Sequence, residues 1–395
     1  MKNFEYDFNW TGLKALLDKE SPYRHMISYK KDFNPYHFMK NYGYDLENFI
    51  QRSEIFGYFR ETLSFIKESF LEDNLMEDSL PFDLPLEIIQ INSIEDLLLM
   101  TQCENKELFI WSKIIFRIMH IISLLDKDMR FSYFSYISSH ISNKYTQYIF
   151  QEDRGFYLSS FKGSSNKILL KDFQIKKQKS RSSLILKFLH KPNFSLEDLY
   201  DFFGFRMITY SKVDSLKVLN FLVKEHIVVP QNIKAQRSYN PFGSIELIEK
   251  YYQSKTEEEL EILLDKVENE PTQTKFNQFT STHYKAIHIT ALELIRYKNP
   301  IYIDLKEIKK ISKEKYQNHE LSCLISKVDL KHLQEEYTFF YPYELQILDT
   351  KSYQDSLTGE ASHRQYKRKQ KKETLCTVFK ELIELKGYRI YDFIF

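Results

Sequence analysis

Glycine is scarce in this chain, and its spacing restricts how the protein can hold a phosphate group. The 395 residues include only 9 glycines, and the two that lie closest together, Gly155 and Gly163, are eight positions apart. A dinucleotide-binding GxGxxG turn or a GxxxxGK[ST] loop needs glycines at most about five positions apart, because the backbone must turn tightly against phosphate. Neither loop can form here. We therefore expect any phosphate to be bound by Lys and Arg side chains, or through a metal held by carboxylates.

The remaining composition is that of a soluble globular protein. The length of 395 residues suits two or three ordinary domains, and the 43% of hydrophobic residues is too high for a disordered chain. Three widely spaced cysteines argue against a disulfide framework or a structural zinc site. The N-terminus lacks the apolar run of a secretory signal, and Lys113, Arg117 and His120 interrupt the apolar stretch 109–125. This stretch predicts an amphipathic core helix, and we expect a cytoplasmic protein without a membrane span.

Charge is unevenly distributed, although the formal net charge is only +1. Residues 51–110 carry 13 acidic side chains against 4 basic ones, whereas residues 161–191 carry nine basic side chains against one acidic. The change of sign, next to the Gly- and Ser-containing stretch GFYLSSFKGSSNK, predicts a domain boundary near 155–165. Apolar spacings of three and four before it predict a helical N-terminal domain over residues 1–160.

After residue 165 the apolar period changes to two, which predicts an α+β domain on one mixed sheet over residues 161–372. Five segments are predicted strands: ILLKDFQIK, FFGFRMITY, YKAIHIT, PIYIDL and YPYELQIL. The stretches SSLILKFLHK and DSLKVLNFLVKEH between them are predicted helices. Residues 244–270 read as an acidic helical insertion, and residues 373–395 as a helix, a turn at Gly387 and a final strand.

The basic segment KKQKSRSSLILKFL could bind phosphate through side chains. Lys177 and Lys179 lie on one face of the chain entering a helix, Ser183 lies near the helix N-terminus, and Lys187 follows one turn later. Two lysines, hydroxyl groups and a helix N-terminus can together bind a triphosphate without a glycine loop. The alternative is an exposed basic strand followed by an ordinary serine N-cap.

Two predicted strands each carry a carboxylate. Asp201 precedes the apolar strand that contains Arg206, while Glu344 and Gln346 project from one face of YPYELQIL. One carboxylate on each of two strands can hold Mg²⁺ between the protein and substrate phosphates. The alternatives are a buried ion pair for Arg206, and an edge strand with a solvated polar face for Glu344.

Two further segments carry residues suited to a nucleotide. Tyr284 and His288 share one face of STHYKAIHIT, where a tyrosine can stack on a base and a histidine can meet a phosphate. His363 and Lys367 lie one turn apart in the basic helix ASHRQYKRKQKK. The alternatives are core packing for the first pair and a solvated helix face for the second.

The order and spacing of these segments over about residues 167–370 resemble the synthetase domain of the RelA/SpoT-type alarmone synthetases. KQKSRSSLILK resembles the RxKxxxSIxxK adenine-nucleotide motif of that family, and LYDFFGFRMIT resembles its strand with a metal-binding Asp and a following Arg. HYKAIH is similar to the GYxSxH acceptor loop, YELQIL to the VEIQIRT strand, and ASHRQYK to the AxHxxYK helix.

This resemblance implies a nucleotidyltransferase-like mixed sheet flanked by helices. It also implies a Mg²⁺-dependent enzyme that transfers pyrophosphate from ATP to the 3′-hydroxyl of a guanine or other purine nucleotide. The implied roles are ATP binding for Lys177, Lys179, Ser183 and Lys187, metal binding for Asp201 and Glu344, catalysis for Asp201, Glu344 and Arg206, and acceptor binding for Tyr284, His288, Gln346, His363 and Lys367.

The departures from the family pattern leave the acceptor open. Lys177 replaces an Arg, His283 replaces the loop Gly, and Leu348 replaces the Arg of QIRT. One alternative acceptor is the 3′ end of tRNA, as in toxic relatives, with the basic helix meeting phosphates. Another alternative is a catalytically silent nucleotide-binding module whose N-terminal domain contacts a protein partner. Without an upstream HxxHD hydrolase motif or a long C-terminal regulatory region, the resemblance is to synthetase-only members.

Overall fold

A computed structural model shows a mixed α+β protein, which confirms the α+β class, although two strands between residues 149 and 158 lie inside the N-terminal segment predicted as helical. Its described part contains one six-stranded sheet and many helices. The structure describes residues 13, 17, 33–71, 79–152, 155–176, 179–191, 196, 199–254, 256–268, 285–316, 320–357 and 363–389. The helices ahead of the sheet are α1 Pro35–Tyr42, α2 Phe49–Ile66, α3 Leu86–Ile89, α4 Ile94–Met100, α5 Lys106–Lys127, α6 Met129–Ser132 and α7 Phe134–Thr146.

Helix α5 is the central helix of the N-terminal part. Asn105 caps it by accepting hydrogen bonds from the backbone N–H groups of Glu107 and Leu108, which would otherwise lack partners in the first turn. Among the described residues, α5 alone is long and apolar enough to cross a membrane by length and composition. However, 61% of its most apolar window is buried inside the protein, as in a core helix. The amphipathic core helix predicted from the sequence is confirmed.

The sheet has the strand order β1-β2-β3-β4-β6-β5. Its strands are β1 Ile149–Glu152, β2 Gly155–Leu158, β3 Ile168–Lys176, β4 Gly204–Thr209, β5 Ile287–Lys298 and β6 Glu336–Asp349. Strands β4 and β6 are parallel, and the other neighbours are antiparallel. Four of the five strands predicted after residue 165 therefore exist, with β5 and β6 longer than the predicted segments.

The fifth predicted strand, PIYIDL, is wrong because it opens a helix. Asn299 caps this helix by accepting hydrogen bonds from the backbone N–H groups of Ile301 and Tyr302, and Pro300 occupies the first helical turn. Asn is a preferred N-cap, and proline suits the first turn, where its missing N–H costs nothing. Local capping thus outweighed the alternation of apolar residues.

The remaining helices flank and extend the sheet. They are α8 Arg181–His190, α9 Lys212–Lys224, α10 Ile245–Ser254, α11 Glu257–Glu268, α12 Pro300–Lys315, α13 Glu320–Ser326, α14 Thr350–Leu357, α15 His363–Val378 and α16 Lys380–Leu385. Helices α8 and α9 confirm two predictions, and α10 and α11 occupy the segment predicted as a helical insertion. Gly387 adopts a left-handed φ of 82°, as the predicted turn requires, whereas the final predicted strand lies outside the described residues.

The two faces of the sheet differ in chemistry. Phe205 and Tyr343 lie on the apolar face and are almost fully buried. Helix α7 covers this face: the Tyr145 ring lies 4.2 Å from that of Phe205, and its hydroxyl hydrogen-bonds that of Tyr343 at 3.0 Å. The N-terminal helices and the sheet thereby share one continuous hydrophobic core. Residues one position along each strand point to the opposite face, which carries polar side chains together with a small apolar cluster at Ile208 and Leu348.

Candidate functional site

Strand pairing arranges the polar side chains of β3, β4, β6 and β5 in two adjacent rows. One row consists of Lys176, Gly204, Glu344 and Thr290, and the next of Gln174, Arg206, Gln346 and His288. Because directly paired residues share a face, each row crosses the same side of the sheet. Four of the residues singled out from separate sequence segments, Arg206, Glu344, Gln346 and His288, therefore lie on one surface.

Glu344 is the best-connected residue of this face. Its Oε2 accepts hydrogen bonds from Lys176 Nζ at 2.7 Å and Gln346 Nε2 at 3.0 Å, and its Oε1 from His288 Nδ1 at 3.2 Å. Burial raises the pKa of Glu344, but the charge of Lys176 and the hydrogen bond from His288 outweigh burial and hold the pKa well below its ordinary value. Glu344 is therefore a carboxylate anion with two nitrogen partners besides the lysine.

Asp201 lies three residues ahead of β4 and pairs with two lysines. Lys187 Nζ, on the second turn of α8, lies 2.6 Å from Asp201 Oδ1, and Lys179 Nζ contacts Oδ2. Burial raises the pKa of Asp201. The charges of Lys179 and Lys187 lower this pKa by more than burial raises it, so it stays below its ordinary value. The charge of Glu344 also raises the pKa of Asp201, which means that the two carboxylates are close enough to interact. Burial lowers the pKa of Lys187 to about 8, against the attraction of Asp201.

Arg206 is bound to an amide. Its Nε and Nη2 both donate to Gln346 Oε1 at 3.1 Å, and its guanidinium carbon lies 5.7 Å from the centre of the Tyr353 ring. None of the hydrogen bonds or ion pairs described for this side chain involves a carboxylate, so the buried ion pair considered for Arg206 is not found. Gln346 instead joins Arg206 to Glu344 and holds both in register, while its role towards an acceptor stays a prediction.

The other predicted ATP-binding residues lie at the start of α8. Ser180 caps this helix by accepting a hydrogen bond from the Ser183 N–H, and the two hydroxyl groups are 2.8 Å apart. Along the chain, the start of α8 lies between Lys179 and Lys187, and its role towards phosphate stays a prediction. Lys177 and Tyr284 lie outside the described residues.

Helix α15, which carries the last predicted segment, packs along α8. His363 begins this helix, although only its backbone is described, and Lys367 is exposed one turn later. Lys371 is 7% exposed and its Nζ lies 5.9 Å from the centre of the Phe70 ring. The idea that every basic residue of this helix could meet nucleic-acid phosphates is therefore wrong for Lys371, because packing against the N-terminal helices buries it.

Sequence reasoning missed two features of the site. Lys176, the last residue of β3, contacts Glu344, and its alternation with Phe173 and Ile175 would have placed it on the polar face. Arg181 opens α8 and forms ion pairs with Glu61 of α2 and Asp126 of α5. Acidic residues of the N-terminal part thus bind the first turn of α8. The uneven charge distribution in the sequence, acidic before residue 110 and basic over 161–191, could have indicated such a pairing.

His190, at the end of α8, should make folding stability depend on pH. It is 1% exposed, and burial lowers its pKa from 6.5 to about 4, with Lys191, Lys187 and Lys179 adding to the shift. Its neutral ring fits its neighbours, since Nδ1–H donates to the Leu186 carbonyl and Nε2 accepts from Gln370. Below pH 6.5 only the unfolded state binds the proton, so stability falls as the pH drops towards 4.

This loss amounts to about 2 kcal/mol at pH 5. Between pH 7.5 and 5, we expect urea unfolding to show that the wild type loses more unfolding free energy than His190→Gln, by about this amount. The glutamine side chain cannot titrate. Parallel pH curves for the two proteins would contradict the prediction. Acidic groups that titrate in both proteins cancel in this comparison.

Asp201 and Glu344 supply carboxylate oxygens, which are the ligand type that Mg²⁺ prefers. Mg²⁺ is usually held by one or two carboxylates together with substrate phosphates and water, and each of these carboxylates already binds a cationic nitrogen. Within the described residues, no group of three or more His, Cys, Asp or Glu side chains could hold a metal ion. Comparisons with protein-family models, with curated proteins and with solved structures gave no match.

Proposed function

We propose that this protein is a Mg²⁺-dependent pyrophosphokinase that transfers pyrophosphate from ATP to the 3′-hydroxyl of a guanine or other purine nucleotide. One observation supports the proposal most strongly: two carboxylates of neighbouring strand segments lie among four cationic side chains. The carboxylates are Asp201 and Glu344, and the cations are Lys176, Lys179, Lys187 and Arg206. Carboxylates suit a divalent cation, and ammonium and guanidinium groups suit phosphate oxygens.

The sheet topology supports a nucleotidyltransferase-like arrangement as part of this proposal. Its central parallel pair, β4 and β6, has an antiparallel neighbour on each side. Glu344 lies on β6 opposite Gly204, and Asp201 lies just ahead of β4, so both carboxylates are near the start of β4. The charged and amide side chains of the site thus share one face, to which α14 contributes Tyr353 beside Arg206.

The proposed reaction depends on positioning and charge. The 3′-oxygen of the acceptor attacks the β-phosphorus of ATP, and AMP leaves with the bridging oxygen between the α- and β-phosphorus atoms. Lys179, Lys187 and the N-terminus of α8 bind the triphosphate, and Arg206 stabilises its charge. Bound Mg²⁺ would supply further neutralisation of the phosphates, held by Asp201 and Glu344. Tyr284 would stack on the acceptor base.

AMP release is the measurement that tests this function. Purified protein with ATP and Mg²⁺ should release AMP when GDP or GTP is the acceptor, and the acceptor should gain two phosphates. ADP and tRNA should be assayed beside them. Label transferred only to tRNA would identify the tRNA 3′ end as the acceptor, which the exposed Lys367 and Lys369 of α15 favour. ATP binding without AMP from any acceptor would contradict the enzyme and identify a silent module.

A further inference from the structure

Both carboxylates of the polar face are already neutralised by ammonium groups. Lys176 Nζ lies 2.7 Å from Glu344 Oε2, Lys187 Nζ lies 2.6 Å from Asp201 Oδ1, and Lys179 Nζ takes the second Asp201 oxygen. The Lys187 side chain is only 10% exposed, so water contributes little to screening that pair. Three of the four carboxylate oxygens that would bind a metal therefore face lysine nitrogens, and the fourth, Glu344 Oε1, faces His288 Nδ1.

The charge of this cluster favours an anion over a free cation. Lys176, Lys179 and Lys187 pair with the carboxylates Asp201 and Glu344, and a fourth cation, Arg206, lies in the adjacent row bound to Gln346. A divalent metal that approaches alone meets an excess of positive charge and must displace an ammonium group. A triphosphate, in contrast, meets cations that match its oxygens.

We propose that Lys176, Lys179 and Lys187 are exchangeable counterions of Asp201 and Glu344. They stay paired with these carboxylates until a triphosphate draws them away, so that metal binds with the nucleotide and not before it. The inference rests on the proposed function, and it adds an order of binding. A lysine can make such an exchange because its ammonium is a compact charge on a flexible four-carbon stem. Once the lysines turn to phosphate, the partly buried carboxylates need a new cation, because an unpaired charge shielded from water is strongly unfavourable.

Direct metal binding tests the exchange without relying on turnover. Mn²⁺ can be followed by electron paramagnetic resonance, with the protein alone and with α,β-methylene-ATP, whose bridging carbon blocks the reaction. The nucleotide without protein serves as a blank. We expect the protein to bind Mn²⁺ at least about tenfold more tightly when the analogue is present, within the usual range of coupling between sites.

Removing a lysine should expose the carboxylates to metal. Lys179→Gln and Lys187→Gln should each bind Mn²⁺ without nucleotide about tenfold more tightly than the wild type, and bind the analogue more weakly. The Lys179→Gln protein is expected to keep its fold, because the Lys179 side chain is 35% exposed, and circular dichroism checks this. Adding Asp201→Asn to Lys179→Gln should abolish the gain. Lys167→Gln, which loses a lysine paired with Glu152 on β1, is the matched control and should change neither affinity.

The outcomes separate this inference from the proposed function. Equal Mn²⁺ affinity with and without the analogue would overturn the exchange, and so would a folded Lys179→Gln protein that gains no affinity for Mn²⁺. In either case AMP release could still occur, and the proposed function would stand. Coupled binding of Mn²⁺ and the analogue without AMP release from ATP would support the exchange and contradict the enzyme.

Discussion

Glu344→Gln should reduce AMP release by about a hundredfold to a thousandfold, the range seen when a group that stabilises transition-state charge is lost. The substitution keeps the size of the side chain but removes the charge that balances Lys176 and, in the proposed reaction, Mg²⁺. It also changes the bond to Gln346, because two amides replace an amide and a carboxylate. The initial rate of AMP formation at saturating ATP measures the effect.

Glu336→Gln is the matched control for this variant. Glu336 opens the same strand, β6, and pairs with the exposed Arg296, away from the polar cluster. The same chemical change there should leave the rate of AMP release within about twofold of the wild type, since exposed ion pairs contribute little. If Glu344→Gln kept full activity with an intact fold, Glu344 would have no place in the site and the proposed function would lose its main support.

Gly204→Ala should both destabilise the protein and inactivate it. A Cβ at this position would lie 2.2 Å from the Glu344 carbonyl oxygen and 3.0 Å from the Glu344 carbonyl carbon. Backbone atoms of a central strand cannot rotate away, so β6 must shift at the point where Glu344 N–H donates to the Phe203 carbonyl at 2.9 Å. We expect a loss of about 1–3 kcal/mol of unfolding free energy, as in other overpacked cores, and displacement of the Glu344 carboxylate.

Gly57→Ala makes the same chemical change in a helix, and we expect the opposite effect on the unfolding free energy. Gly57 lies in α2, and a Cβ there would have no atom within 4 Å. Alanine is favoured over glycine inside a helix by about 0.5–1 kcal/mol, so this variant should be slightly more stable and fully active. Urea unfolding of both variants measures the contrast. A Gly204→Ala protein as stable as the wild type would contradict the close approach of the two strands.

Much of the secondary structure follows from local patterns. The alternation in FFGFRMITY and YPYELQIL predicted which residues share a face, and the burial of Phe205, Met207 and Leu345 confirms it. The same rule failed at PIYIDL, where Asn299 and Pro300 form a helix start that outweighs a period of two. Caps act over three residues and alternation over six or more, so a short apolar run is decided by its cap.

The sequence by itself determined that phosphate could not be held by a glycine loop, and it identified the segments that carry Asp201, Arg206 and Glu344. Only the tertiary structure decided that β6 lies between β4 and β5, which pairs Glu344 with Gly204 and places Lys176 against the carboxylate. Strand order and register depend on contacts between residues far apart in the sequence, 140 positions for Gly204 and Glu344, and an alternating pattern fits several neighbours equally well. The partners of each charge therefore emerge only when the strands pair and exclude water between them.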